Sequence, residues 1–189
     1  RRGRNIQMSL DLSLEDAVFG KNIEITLPNT GKKVSVNIPA GVDTGNKIRL
    51  SEEGEASQYG GENGDLFIVV NILDHEFFER EANHLYCEIP LRVDQAILGA
   101  EIEIPTLTKK VLLKIPPETQ TGKVFKLRDL GAGSLHGNSK GDLFIRAVVE
   151  TPSKISGEQK NNISSVFSDL EKNFSESKAF IDKLNKKFK

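Results

Sequence analysis

The chain has 189 residues, 37% hydrophobic and 28% charged, with a formal net charge of −1. These values fit a soluble globular protein of one or two domains and exclude a disordered chain, a helical membrane span and the concentrated positive field that nucleic acid binding needs. The single cysteine, Cys87, excludes an internal disulfide and a multi-cysteine metal site, and fits a reducing, cytoplasmic setting.

The opening "RRGRNIQMSL" is basic but lacks the apolar core of a secretory signal, and reads as the end of a linker in a longer protein. Met8, Leu10, Leu12 and Leu14 then alternate with polar residues, the period of a half-buried strand. Ser13 with Asp16 predicts a helix start and Gly20 its stop, so one short helical turn follows. Strand alternation returns in Ile23, Ile25 and Leu27, and again in Val34, Val36 and Ile38. The run "LFIVVNI" (66–72) is continuously apolar, as expected of a strand covered on both faces.

A second series has the same grammar. Leu85, Cys87, Ile89, Leu91 and Val93 alternate; Asp94 and Gly99 bound another helical turn; Ile102 and Ile104, then Val111, Leu113 and Ile115, alternate again. From Pro152 the period changes. Ser156 and Gln159 form a capping box, and Ile163, Val166, Phe167, Leu170 and Phe174 make one helical stripe. "SESK" breaks it before a second stripe of Phe180, Ile181, Leu184 and Phe188 among lysines. Such a tail either folds back on the preceding domain or packs against the tail of a partner; two stripes exceed what one small domain needs, which favours the partner.

The two series are copies. A shift of 79 residues sets "LSLEDAVFGKNIEI" (12–25) on "LRVDQAILGAEIEI" (91–104), and a shift of 77 sets "IPAGVDTGNKIRL" (38–50) on "IPPETQTGKVFKL" (115–127) and "GDLFI" (64–68) on "GDLFI" (141–145). The expected fold is therefore mainly β: two tandem small β-sandwiches, residues 1–79 and 80–152, followed by an amphipathic helical tail, 153–189.

Chemistry-bearing motifs are scarce. "GNSKG" around Ser139 matches a nucleophile-elbow expression, but a glycine loop precedes it and a strand follows, the wrong context. "GAGSLHG" (131–137) leads into no helix and reads as a hairpin loop. His75, His84 and His136 lack metal-ligand spacing. Asp65 and Asp142 recur at equivalent strand entrances, which suits a structural role better than acid–base catalysis. No enzyme and no cofactor are expected.

Five ordered stretches, "IPAGVDTGNKIRLSEEGEA", "GDLFIVVNILDHEFFER", "LYCEIPLRVDQAILGAEIEIPTL", "KIPPETQTGKVFKLRDLG" and "KGDLFIRAVVETP", closely resemble the C-terminal client-binding region of DnaJ-family co-chaperones, over roughly residues 6–170. The resemblance implies two β-sandwiches and a C-terminal dimerisation segment, with unfolded client polypeptides bound and handed to the seventy-kilodalton DnaK-type heat-shock chaperone by a V-shaped homodimer. It also carries departures. The His-Pro-Asp tripeptide of the J domain does not occur, so ATPase stimulation is not expected of this chain. Where the zinc-containing class inserts C-x-x-C-x-G-x-G repeats, this chain has "LPNTGKK" (27–33); the zinc module is either naturally absent or removed. Glu76 stands where proline is common in the segment joining the two sandwiches.

A promiscuous binder gains from main-chain pairing at an open sheet edge, because every peptide offers the same N–H and C=O groups. The resemblance places the client groove on the first sandwich at Met8, Leu10, Ile25 and Leu27, with Ile68 nearby. Periodicity alone allows these five to be sandwich core instead. The resemblance and the stripe together assign dimerisation to Phe167, Leu170, Phe174, Phe180, Ile181, Leu184 and Phe188. The alternative function is a dimerisation scaffold, with client binding carried by other segments of a larger J-domain protein.

Overall fold

The computed structural model describes residues 2–189, with residues up to Glu150 forming one compact unit and Thr151–Lys189 a second. The first half runs β1 (Ile6–Leu12), α1 (Leu14–Phe19), β2 (Lys21–Thr26), β3 (Lys33–Ile38), β4 (Lys47–Leu50) and β5 (Leu66–Ile72). The second runs β6 (Glu79–Glu81), β7 (His84–Arg92), α2 (Val93–Leu98), β8 (Ala100–Pro105), β9 (Lys110–Ile115), β10 (Val124–Leu127) and β11 (Leu143–Glu150). One half forms a sheet ordered β1-β5-β4 and a β2-β3 hairpin; the other forms a sheet ordered β10-β11-β7-β6 and a β8-β9 hairpin. In both, the outermost long strand runs parallel to the central one (β1 with β5, β7 with β11) while the remaining pairs are antiparallel. The β-sandwich fold and the duplication expected from the sequence are both present.

The repeated Thr-Gly acquires a physical meaning. Gly45 N–H donates to the Val70 carbonyl (2.9 Å) and the Thr44 hydroxyl accepts from Ile72 N–H (3.1 Å); Gly122 donates to Ala147 (2.7 Å) and Thr121 accepts from Val149 (3.1 Å). The turn thus binds onto the central strand and extends its pairing beyond β4 or β10. The glycine of each "GDLFI" is fixed by a close approach. A Cβ at Gly64 would collide with the Arg4 carbonyl, and one at Gly141 with the Asn83 carbonyl.

The Asp of the same motif organises a turn. Asp65, almost fully buried, accepts from Glu52 N–H (3.1 Å), Arg49 (2.7 Å) and Arg2 (2.7 Å). Asp142 accepts from Asp129 N–H (3.0 Å) and faces Lys126 (3.3 Å). Glu52 and Asp129 sit at equivalent places with φ of 63° and 61°, so each carboxylate secures a left-handed residue that is not glycine. Hydrogen bonding by these N–H groups, aided by the basic neighbours, holds both carboxyls below the usual carboxylate range. The structural reading of the aspartate pair stands.

Several local expectations are corrected. α1 is capped as expected, Ser13 Oγ accepting from Asp16 N–H (3.1 Å). For α2, however, the cap position is Arg92, not Asp94. The Gln95 side chain accepts from Arg92 N–H (3.2 Å), and Asp94 turns back onto the Arg92 guanidinium (2.7 Å). The three-residue β6 lies in what the sequence offered only as a connection. In the tail, α3 (Gly157–Asp169) has the expected Ser156–Gln159 capping box, and α4 (Ser175–Lys187) follows a 3-10 turn (Glu171–Asn173). "SESK" is therefore the first turn of α4; the break lies before it, at Leu170–Phe174. The "LFIVVNI" strand is covered on both faces only in part, since Phe67 and Val69 are half-buried.

The hydrophobic cores of the two halves are interlocked. Leu14 and Val18, on the helix of the first half, are buried in the core of the second with Phe78, Leu85, Cys87 and Leu143. In return, Leu135 from the second half packs on the core of the first, and Ile72 packs against both. Arg80 fastens the junction, donating to the carbonyls of Gly41 (3.2 Å), Val42 (2.6 Å) and Ala82 (2.7 Å).

Candidate functional site

The five groove candidates share one cluster but differ in position within it. Ile25 (7% exposed), Leu27 (2%) and Ile68 (0%) belong to the first core. Ile68 lies on the central strand β5, paired on both sides, and Ile25 projects from β2 to the same interior. Met8 and Leu10 are half-buried on β1 and pack against that cluster. The strand alternation carried no signal for this distinction, because all five positions face inward.

What surrounds Met8 and Leu10 is strand edge. Among the described residues, β1 pairs only with β5 and β2 only with β3, so each keeps an outer row of main-chain N–H and C=O groups without a strand partner. The equivalent positions in the second half, Cys87 and Ile89, are buried, in a cluster that includes Phe78. There β6 also pairs with the start of β7, through Glu79–Tyr86, Arg80–Leu85 and Glu81–His84. Cys87 is the small buried hydrophobe its strand position suggested; burial, with Glu88 beside it, pushes its thiol pKa up.

The histidines are engaged locally. His75 Nδ1 accepts from Phe77 N–H (3.0 Å) and Phe78 N–H (3.3 Å), while Nε2 lies 2.7 Å from Glu15 of α1. His84 Nδ1 accepts from Asp142 N–H (3.0 Å). Among the described residues no three metal-ligating side chains gather, and no helix is long and apolar enough to cross a membrane.

In the tail, Phe167 and Leu170 are half-buried, and the Phe167 and Phe174 rings lie 6.1 Å apart across the turn. Phe174, Phe180, Ile181, Leu184 and Phe188 are exposed. On α4, Phe180, Ile181 and Leu184 make an exposed apolar stripe, continued just past the helix by Phe188, whose ring centroid lies 5.7 Å from Lys187 Nζ.

The family model of the DnaJ C terminal domain matches residues 6–152, which takes in both sandwiches. With the duplicated β fold, the Thr-Gly turns and the His75–Arg80 junction all inside that span, the chain belongs to the DnaJ C-terminal domain family, a family of chaperone domains and not of enzymes.

Proposed function

We propose that this chain holds unfolded or partly folded polypeptides in the cytoplasm, by adding them as a strand beside Met8 and Leu10, for delivery to a DnaK-type heat-shock chaperone. The observation that carries this reading is the contrast between half-buried Met8 and Leu10 and their buried counterparts Cys87 and Ile89. Apolar side chains next to unpaired strand edges give a client both main-chain partners and a shallow apolar seat. The exposed stripe of α4 suits pairing with a second copy, and two linked seats hold one chain far more tightly than either alone. Sedimentation velocity across a concentration series tests that dimer.

The decisive variant is Met8→Ser with Leu10→Ser, since Ile25, Leu27 and Ile68 cannot be changed without damaging the core. Suppression of aggregation of a chemically unfolded client is expected to fall several-fold while the circular dichroism spectrum stays native. A well-folded double variant with full activity would remove the seat from the first half. The burial of three of the five candidate side chains favours, as second reading, a dimerisation scaffold; the unaltered protein would then fail to suppress aggregation at all.

A further inference from the structure

The outer faces of the two main sheets have diverged in a way that client addition at β1 does not use. In the first half this face presents Gln7 and Asp11 on β1, Lys47 on β4 and Asn71 on β5. The equivalent residues of the second half are Tyr86, Pro90, Val124 and Val148, all less polar, while Phe67 of the first face is matched by Phe144 and Val69 by Arg146. Tyr86 stacks on Phe144 with ring centroids 5.2 Å apart and planes within 15°, and Phe77, 51% exposed, lines the same groove of about 750 Å³. Tyr86 (38%), Val124 (43%) and Val148 (38%) are open to solvent, on a face where most sheets are polar.

The rim carries the second observation. Glu76, Glu79, Glu81 and Glu88 line the groove, and none of the four takes part in an ion pair among the described residues. Of the cations nearby, Arg80 is spent on three backbone carbonyls and Lys126 faces Asp142. Arg146 alone faces the groove without such a tie, in register with Glu88. Four unpaired carboxylates around an aromatic platform form a seat for a cation: the ring faces attract a guanidinium or ammonium, and the carboxylates attract it from the side. The same charges repel an anionic surface or an acidic peptide.

We propose that this face of the second sheet is a docking site for extended polypeptide segments in which arginine or lysine alternates with apolar residues. The cation stacks on Tyr86 and Phe144 and is met by Glu79 and Glu88; the apolar residues lie along Val124 and Val148. The site is separate from the seat at Met8 and Leu10 and does not rest on it.

The test is fluorescence anisotropy on the full chain with two labelled twelve-residue peptides, one alternating arginine with leucine and phenylalanine, the other with glutamate replacing every arginine. The cationic peptide is expected to bind at least ten-fold more tightly than the anionic one and to weaken as salt rises. Glu79→Lys with Glu88→Lys should reduce its affinity ten-fold or more, and Tyr86→Ala about five-fold, whereas the Met8→Ser, Leu10→Ser pair should retain the preference for the cationic over the anionic peptide. Independently of any variant, backbone amide shifts on titrating the native protein should centre on Tyr86, Phe144 and Arg146. Equal affinity for the two peptides, shifts confined to β1 and β2, or concentration-dependent self-association through this face lost in Tyr86→Ala would each overturn the proposal.

Discussion

The first and second halves are built from one plan, yet they present opposite surfaces to a ligand. In the first, the inward row of β1 is incompletely covered at Met8 and Leu10 while the outward row is polar. In the second, the inward row is closed at Cys87 and Ile89, and the outward row becomes aromatic and aliphatic at Tyr86, Pro90 and Val148. The turns are held in common: Thr44 and Thr121, Asp65 and Asp142, and Gly64 and Gly141 make equivalent contacts. Contacts that fix the backbone were kept in both copies, and the side chains that dress it were free to separate.

The shared scaffold can be broken at its tightest point. Gly141→Val forces a Cβ into the Asn83 carbonyl and should cost more than about 4 kcal/mol, as should Gly64→Val against Arg4; thermal melts would show losses on the order of 10 °C or complete unfolding. Similar losses for the two variants would show that the copies still share this constraint; a Gly64→Val protein of native stability would refute it. Smaller, but more telling about the join, is Leu14→Ala. Burial of Leu14 in the other half's core predicts a loss of about 2–5 kcal/mol, and amide exchange should speed up in β7 and β11, far from the substitution in sequence. Acceleration limited to β1 and β5 would mean the halves are energetically separate.

The smallest expected effect concerns acid. Asp65 and Asp142 have carboxyl pKa values lowered in the folded chain, so the stability they add is complete above the ordinary carboxylate value of 3.8 and is lost as the pH falls through the lower folded value. Urea midpoints between about pH 2 and pH 6 should show this loss in the native protein and a flatter profile in Asp65→Asn. Asp142→Asn should flatten it less, because Asp142 is ion-paired with one lysine, Lys126, with His84 nearby, where Asp65 meets both Arg2 and Arg49. Equal flattening would remove that electrostatic distinction between the copies.

Much of the fold was legible because it rests on periodicity and repetition. Alternation at Met8–Leu12 and Leu85–Leu91 located the strands, and the matched Gly20 and Gly99 located the helix stops. What was not legible depends on neighbours distant in sequence. Nothing in "ERE" (79–81) marks it as a strand, because its pairing is supplied by β7. The helical cap at Arg92 was hidden because the side chain doing the work is Gln95, and Asp94 offered a better-looking candidate. At the site, Ile25 and Met8 share a strand-like pattern, and only the packed structure separates core from margin. The aromatic outer face was also missed, although the signal was present: aligning the copies places Tyr86 on Gln7 and Val148 on Asn71.

The exchange of Leu14 and Val18 for Leu135 across the join also sets a timetable. A ribosome adds about 5–20 residues per second, so Leu135 emerges on the order of several seconds after β5 has closed the first sheet. Until then the first sandwich lacks one side chain that packs against its core, and Leu14 and Val18 of α1 lack the second-half core in which they are buried. A protein of a chaperone family is thus itself, during its own synthesis, a nascent chain with sticky surface, and it completes both halves at nearly the same moment.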